Sequence, residues 1–267
     1  MDLAALERQI EQDRAAGRQL VAVVASAGTV NTGAIDPLPE IADIARRYRL
    51  WLHVDGAYGA LAAIAAPEKF TGLNLADSLS LDPHKWLYQP TDCGCLLFRD
   101  PAQARAAFAH SGDYARALSQ DPVEGFAFFE ESLELSRRFR ALKLWLSLRY
   151  HGLNTFRDAI AQDLDHAQLL TKLIAGEPAL QILAPVPLSV VCFRYVGEKK
   201  ASDEELDRLN AAILKRVIAR GKVYISNATI HGRFALRACF VNHRTRREDV
   251  QAIVDEVLAA AGEVATA

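Results

Sequence analysis

A carboxylate and an amine each follow an apolar segment of this 267-residue chain. The first segment, L-W-L-H-V at residues 50–54, ends at Asp55, and the second, S-L-S-L at residues 78–81, ends shortly before Lys85. Both segments are typical of buried strands, and the chain between them is long enough for one crossover. Because parallel strands end at the same edge of a sheet, we expect Asp55 and Lys85 to meet where open α/β folds bind ligands.

An acid and an amine at one sheet edge have a joint use in pyridoxal phosphate chemistry. The amine forms a Schiff base with the cofactor aldehyde, and the acid keeps the pyridine nitrogen protonated so that the ring accepts electrons. Taken singly, an Asp at a strand end is most often a helix N-cap, and a Lys at a helix start is most often a solvated surface charge. The pair is flanked by His53 and His84, and Gly56 and Ala57 leave room for a flat ring. Together these residues favour the cofactor interpretation.

Two further residues are candidates for the same site. His84, next to Lys85, is placed to contact a phosphate or a substrate carboxylate, although a hydrogen-bonded core histidine fits equally well. Thr29 lies in the polar turn at residues 27–33 that follows an apolar segment. Hydroxyl and backbone N–H groups in such a turn hold phosphate or ring oxygens, whereas the alternative role is turn formation alone. Both interpretations stay open for each residue.

The order of apolar segments predicts an α/β fold for the first hundred residues. Helices and strands alternate there, which is typical of a mostly parallel sheet covered by helices on both faces. The predicted helices span residues 3–16 and 37–48, and the predicted strands residues 20–25, 50–54, 78–81 and 94–98. A short Ala-rich helix is also expected between Asp55 and Pro67.

The second half of the chain follows a different pattern, which predicts a small α+β domain. A helix at residues 137–149, with Leu142, Leu144, Trp145 and Leu148 as candidate packing residues, precedes a helix at residues 154–175. The later segments predict strands at residues 189–194, 222–226 and 234–240, and helices at residues 203–220 and 247–261. Residues 102–134 lack a clean period, which indicates a long functional loop.

Composition excludes several classes of protein. Hydrophobic residues make up 51% of the chain and charged residues 24%, which argues against disorder, and the net charge of -2 gives no reason to expect nucleic acid as a partner. No apolar run approaches the roughly 20 residues that span a bilayer, and no signal peptide is visible, so we expect a cytoplasmic protein without a membrane partner. The four cysteines lack metal-site spacing, which predicts buried free thiols and no metal.

Four motifs together resemble those of the group II pyridoxal-phosphate decarboxylases, the family of aromatic-amino-acid, tyrosine, histidine and glutamate decarboxylases. The turn A-G-T-V-N-T-G-A-I-D at residues 27–36 is similar to the family's threonine-bearing turn. H-V-D-G-A-Y at residues 53–58 resembles its H-V-D-A-A-Y, and residues 76–86, ending in D-P-H-K-W, resemble its lysine motif. S-R-R-F-R-A-L-K-L-W at residues 136–145 is similar to the helix after the family's mobile catalytic loop.

The resemblance implies a role for each candidate residue. Lys85 is implied as the Schiff-base lysine, Asp55 as the pyridinium partner and Ala57 as the residue beneath the ring, while His84 contacts cofactor or substrate and Thr29 borders the cofactor. The implied activity is decarboxylation of an L-amino acid to the amine and CO₂ by a homodimer.

The implied fold is part of the large domain of a type I pyridoxal-phosphate-dependent transferase, plus a smaller α+β C-terminal domain. On this basis residues 1–110 form the second half of the cofactor-binding domain. Residues 111–136 form the mobile catalytic loop region, and residues 137–267 form a helical connector and the small domain.

The chain departs from the family pattern in two respects. It corresponds to the later half of the family's length and lacks the family's dimer-wrapping helical segment, phosphate turn and ring-stacking side chain, so we expect that the gene is truncated, that the sequence is a fragment, or that a complementing N-terminal chain completes the site. The loop tyrosine that reprotonates Cα in many members corresponds to a position at or near Phe128, and Tyr114 lies too far upstream to replace it.

Four alternative functions remain open from the sequence. A phenyl ring at the loop position favours a decarboxylation-dependent aldehyde synthase, and the missing half of the family pattern favours an inactive fragment or interaction subunit. An aminotransferase or desulfurase of the same fold would be distinguished by the lack of CO₂ release. A nucleotide-binding module is disfavoured because the chain has no G-x-G-x-x-G or G-x-x-x-x-G-K-[ST] turn.

Overall fold

The computed structural model describes residues 1–108, 131–134, 136–197 and 201–266. In the first part of the chain the helices and strands alternate, as the apolar segments predicted. Their order is α1 (Leu3–Ala15), β1 (Ala22–Ser26), α2 (Leu38–Tyr48), β2 (Trp51–Asp55), β3 (Ser78–Leu81), α3 (Pro83–Trp86), β4 (Cys95–Phe98) and α4 (Pro101–Phe108). Three short 3₁₀ turns, Ala60–Ile64, Pro67–Phe70 and Leu73–Leu75, connect β2 to β3 in place of the expected Ala-rich helix.

The later part of the chain forms a small antiparallel sheet with long helices. Its elements are α5 (Arg140–His151), α6 (Leu153–Ala175), β5 (Leu180–Ile182), β6 (Val190–Tyr195), α7 (Asp203–Arg220), β7 (Ser226–Ile230), β8 (Arg233–Cys239) and α8 (Arg247–Ala265). The strand order is β5-β6-β8-β7, and every neighbouring pair is antiparallel. This arrangement confirms the predicted α+β unit.

The first sheet has the order β1-β2-β3-β4 and is mostly parallel. β1 pairs with β2 and β2 with β3 in parallel, whereas β4 runs antiparallel to β3. A parallel neighbour requires a long crossover, and the short connection from α3 to β4 instead returns the chain in the opposite direction. The predicted α/β class is confirmed, with one antiparallel strand at its edge.

The two faces of this sheet differ in burial. Alternate strand residues, among them Val23 and Leu52, are buried in a core with apolar residues of α2 such as Ile41. On the opposite face Val24 is 56% exposed, and Asp55 is exposed as well. In the described part of the chain, the expected cover of helices on both faces is therefore not found over β1 and the end of β2.

Several predicted elements were wrong in position. The strand predicted at residues 222–226 is absent, because the tight turn at His231 and Gly232, where φ is 50° and 79°, sets a hairpin register that begins β7 at Ser226. β5 was not predicted. Helix α5 begins at Arg140, three residues later than predicted, and two of its expected packing residues, Leu142 and Trp145, are exposed.

Other expectations concern cysteines, metals and membranes. All four cysteines are free, but only Cys93 and Cys192 are buried, while Cys95 and Cys239 are partly exposed. The described residues contain no group of three or more His, Cys, Asp or Glu side chains that could hold a metal ion. Within the same residues no helix is both long and apolar enough to cross a bilayer.

Candidate functional site

The carboxyl ends of three adjacent parallel strands define the candidate site. Ser26, Asp55 and Ser80 are paired in register across β1, β2 and β3. Just beyond them, the Ala27 amide donates to the Asp55 carbonyl at 2.8 Å, and the Gly56 amide donates to the Ser80 carbonyl at 3.1 Å. The segments that carry Thr29, Ala57 and Lys85 therefore leave the sheet at one edge, as the sequence predicted for Asp55 and Lys85.

The Asp55 carboxylate is held in a fixed orientation while it stays exposed. Its Oδ1 accepts hydrogen bonds from the Ala57 backbone amide at 3.1 Å and from Ser80 Oγ at 3.2 Å. Strand alternation places it on the face opposite Val54, which is fully buried. The geometry thus presents an oriented negative charge on the open face of the sheet.

Lys85 lies on the short helix α3, which an aromatic side chain anchors in the core. Trp86 is fully buried and packs edge-on against Tyr58, with their ring centroids 5.7 Å apart. The adjacent Lys85 keeps 34% of its side chain exposed, and its Nζ lies 2.9 Å from Asp82 Oδ2. The lysine motif alone gives Asp82 no role, and the structure makes it the ion-pair partner of Lys85.

His84 is oriented by the loop that precedes β4. Its Nδ1 lies 2.9 Å from the Cys93 carbonyl and 3.3 Å from the Cys93 amide, and its Nε2 lies 3.7 Å from Asp82 Oδ2. The hydrogen-bonded histidine anticipated as one alternative is present, while Nε2 faces the acid that also binds Lys85.

Basic residues of α5 secure the loop that contacts His84. Arg140 Nε donates to Asp92 Oδ2 at 2.7 Å, and Lys143 Nζ donates to the carbonyls of Pro90 and Asp92, both at 2.6 Å. The hydrogen bond from Arg140 lowers the pKa of Asp92. The S-R-R-F-R-A-L-K motif therefore has a structural task, since it fixes the loop behind His84.

The Thr29 turn packs closely against the segment after Asp55. Thr29 Oγ1 accepts from the Ala34 amide at 3.1 Å and lies 3.0 Å from Thr32 Oγ1, so its hydroxyl shapes the turn. A Cβ on Gly59 would lie 2.4 Å from the Ala27 carbonyl and 2.7 Å from Gly28 Cα. Only glycine at this position lets the two turns touch.

The C-terminal unit reaches the same turn through residues that the sequence did not single out. Arg237, on β8, donates from Nε at 2.9 Å and from Nη2 at 2.5 Å to the Val30 carbonyl. Cys192 Sγ donates to the Asn31 carbonyl at 3.0 Å, and burial raises the pKa of this thiol to about 11, which keeps it protonated near neutral pH. The small domain thus fixes the turn next to the candidate site.

These residues fit a cofactor that needs an amine to bind it and an anion to balance its charge. Lys85 supplies an accessible primary amine, and Asp55 supplies a carboxylate that is oriented by two donors yet exposed. Close packing at Gly56, where a Cβ would lie 2.3 Å from Ala60 Cβ, keeps the backbone beside Asp55 compact. The loop positions Phe128 and Tyr114 lie outside the described residues.

An open, mostly parallel α/β sheet with an amine and a carboxylate at its carboxyl edge is the architecture of a cofactor-dependent enzyme domain. The model of the pyridoxal-dependent decarboxylase conserved domain matches residues 1–196. The chain therefore belongs to the pyridoxal-dependent decarboxylase family, as its motifs predicted.

Two curated relatives illustrate the range of the family. Aromatic-L-amino-acid decarboxylase from Bacillus atrophaeus is 37% identical over 267 residues, covering 99% of this chain and 55% of the relative. Phenylacetaldehyde synthase from Petunia hybrida is 33% identical over 240 residues, covering 87% of this chain and 47% of the relative. The chain spans about half the length of these proteins.

Solved structures share the fold. Oryza sativa TDC, solved with PLP and tryptamine, superposes with a TM-score of 0.92 at 30% identity and covers 99% of this chain and 55% of its own. Its similarity confirms the expected fold of the type I pyridoxal phosphate decarboxylases.

Proposed function

We propose that this chain provides the lysine-bearing half of a pyridoxal-phosphate-dependent decarboxylase that converts an aromatic L-amino acid to its amine and CO₂. The observation that carries the proposal is the position of Asp55 and Lys85 at one carboxyl edge of the sheet. The aromatic substrate class is supported by the decarboxylase from Bacillus atrophaeus, which is 37% identical.

Each proposed site residue has a task that follows from its contacts. Lys85 Nζ attaches the cofactor, and Asp82 Oδ2, at 2.9 Å, orients Nζ as its ion-pair partner. Asp55 holds negative charge beside the ring nitrogen, oriented by Ala57 and Ser80. When bound, pyridoxal phosphate supplies an electron-accepting ring that stabilises the charge left on Cα as CO₂ departs.

The remaining proposed residues bind and orient. His84 Nδ1 is engaged by Cys93, so its Nε2 is the atom proposed to contact the cofactor or substrate. Thr29 is proposed to border the cofactor and Ala57 to lie beneath its ring, on the support of the compact turns at Gly28 and Gly59. Both turns leave the sheet at the edge that carries Asp55.

We also propose that a further polypeptide completes the site, either as a homodimer partner or as a complementing N-terminal chain. Support comes from apolar side chains left exposed around the site, with Val24 on the open face of the sheet and Trp145, at 58% exposure, on α5. A cytoplasmic location is proposed on the support of the four free thiols.

The function is tested by measuring CO₂ release from L-tryptophan, L-tyrosine and L-phenylalanine with pyridoxal phosphate and the assembled protein, which is this chain together with the polypeptide that completes its site. We expect CO₂ and the matching amine in equal amounts. Amino transfer to a 2-oxo acid without CO₂ release would instead assign the protein to the aminotransferases of the same fold, and cofactor binding without any turnover would favour an inactive interaction subunit.

The identity of the product is a separate prediction, since relatives include a phenylacetaldehyde synthase. We expect the amine as the main product. If Phe128 occupies the position of the proton-donating tyrosine, reprotonation at Cα is slowed because a phenyl ring has no proton to donate. The substrate carbon is then oxidised by O₂ and hydrolysed, which gives aldehyde, ammonia and hydrogen peroxide.

Product analysis of the wild type and the Phe128→Tyr variant distinguishes these outcomes. Amine from both proteins in similar yield supports the amine as product and another proton donor. Aldehyde and peroxide from the wild type, with a shift to amine in Phe128→Tyr, would reject the amine as the main product. That result would also show that Phe128 occupies the position of the proton-donating tyrosine. Phe126→Tyr, two residues away, serves as the matched control.

The exposed apolar surface predicts that the 267-residue polypeptide alone is a poor enzyme. We expect it to bind pyridoxal phosphate weakly and to aggregate, because uncovered apolar patches associate and a single covalent anchor does not fix a ring for catalysis. Absorbance titration and light scattering measure both properties, and replacing Val24 with Ser should reduce aggregation without restoring turnover. Tight stoichiometric binding with efficient turnover would show that the site needs no further polypeptide.

A further inference from the structure

Tyr88, three residues after Lys85, has an unusual backbone conformation. Its φ is 51°, in the left-handed region that residues with a Cβ rarely adopt, and its amide donates to the Lys85 carbonyl at 3.2 Å. The next residue, Gln89, donates from its own amide to the Pro83 carbonyl at 3.2 Å. The segment that ends the lysine helix is therefore folded back on α3.

The phenol of Tyr88 meets a buried carboxylate from a distant part of the chain. Tyr88 Oη donates to Asp163 Oδ2 at 2.9 Å, and Asp163, in the middle of α6, is 1% exposed. The backbone amide of Asn242 also hydrogen-bonds to Asp163. His243, the next residue, packs edge-on against the Tyr88 ring with their centroids 5.1 Å apart. These contacts join the lysine segment to α6 and to the loop after β8.

Asp163 is costly for stability at neutral pH. Burial raises its pKa to about 6, above the ordinary value of an aspartate. The folded state therefore binds more protons than the unfolded state between about pH 4 and pH 6, so this group's contribution to stability falls as pH rises through that window. The titratable groups that face it are the Tyr88 phenol, with His243 behind that ring, and the Cys239 thiol on β8.

We propose that Asp163 is a positioning residue that acts through Tyr88 to hold the Lys85 segment in its reactive place. The inference rests on the proposed function, because it assumes that Lys85 carries the cofactor. Asp163 touches neither Lys85 nor Asp82; it fixes the phenol, and the phenol fixes the chain three residues beyond the lysine. Hydrogen bonds to a buried carboxylate suit this task because they are strong and directional.

The test uses Tyr88→Phe, Asp163→Asn and the double variant in the assembled protein, this chain with the polypeptide that completes its site, with bound cofactor. Tyr48→Phe is the matched control, since Tyr48 Oη donates to the Glu11 carboxylate at 3.0 Å on an exposed part of the chain. We expect each single variant to lower kcat about tenfold with little change in KM, because small displacements of a reacting group are expensive. The double variant should be no worse than either single variant, since the two residues act as one unit.

Two readouts do not depend on turnover. The first is the rate at which an amine reagent labels Lys85 in cofactor-free protein, measured by peptide mapping with Lys69 as the reference. This rate should change in both variants and stay unchanged in Tyr48→Phe. The Tm of Asp163→Asn relative to that of the wild type should rise as pH rises from about 4 to about 6, because the variant lacks the ionisation that costs stability.

The outcomes separate this inference from the proposed function. Altered kcat and altered labelling of Lys85, with the Tm behaviour above, support the positioning role. Loss of Tm at every pH with unchanged kcat and labelling would assign the pair to stability alone and overturn the inference. If Lys85→Arg retains full activity, the proposed function fails, while the labelling of Lys85 still decides whether Asp163 controls its segment.

Discussion

Replacing Lys85 with arginine should lower decarboxylation by at least about a thousandfold, because the variant lacks the nucleophilic amine that binds the cofactor. Arginine keeps the positive charge and retains an ion pair with Asp82, which lies 2.9 Å from the lysine amine. The loss therefore reports the chemistry of the amine rather than the removal of a charge. Borohydride reduction of the loaded wild type, followed by peptide mapping, should place a pyridoxyl group on Lys85.

The matched control for this variant is Lys69→Arg, at an exposed lysine in the 3₁₀ turn Pro67–Phe70. It should keep wild-type activity and the same labelled peptide. A pyridoxyl group on Lys143 or Lys222 instead would reject Lys85, and Lys143 is the more informative rival because it already binds the carbonyls of Pro90 and Asp92. Unchanged Tm in both arginine variants would exclude a folding defect.

The parts of the site that the sequence predicted are those that depend on strand ends. Asp55 and Lys85 follow apolar segments, and the pairing of Asp55 with Ser80 places their segments at the same edge. Local patterns carry such information because a buried parallel strand reads as a short apolar run with a polar end. The strand predicted at residues 222–226 was wrong because an apolar run does not reveal the hairpin register, which depends on the turn.

Contacts between distant segments could not be predicted in this way. Tyr88 and Asp163 are 75 residues apart, and Arg237 is 207 residues from the carbonyl that it binds. A single buried Asp in a helix has the same local signature as a solvated one, so no pattern marked Asp163. Asp82 was visible in its motif, but only the structure identified it as the partner of Lys85.

The exposed residues of α5 show a further limit of predicting packing from the sequence. The apolar spacing of Leu142 and Trp145 predicted packing, yet both are exposed in the described part of the chain, while Leu144 and Leu148 pack against the core. An apolar pattern records burial in the assembled protein and does not say which polypeptide provides the cover. The proposed completing polypeptide accounts for this difference.

Asp55→Asn should retain the fold and cofactor attachment but reduce kcat at least about a hundredfold, because an amide lacks the negative charge that stabilises a protonated pyridine nitrogen. Asparagine has nearly the same shape, and its Oδ1 still accepts from the Ala57 amide and Ser80 Oγ. The substitution thus isolates the charge of the site from its geometry. Turnover, Tm and the borohydride-fixed label on Lys85 should be measured on the same preparations.

Asp77→Asn is the control, since Asp77 lies just before the amino end of β3 and its carboxylate accepts a hydrogen bond from the Leu52 amide at 2.8 Å. It makes a comparable backbone contact away from the carboxyl edge, so its kcat should stay close to that of the wild type. Near-normal turnover in Asp55→Asn would mean that Asp55 only shapes the turn at Ala57. A fall of similar size in both variants would show that the sheet tolerates neither change. Comparing Asp55→Asn with the single variant Ser80→Ala would then separate the orientation of the carboxylate from its charge, because Ser80→Ala leaves the carboxylate ionised.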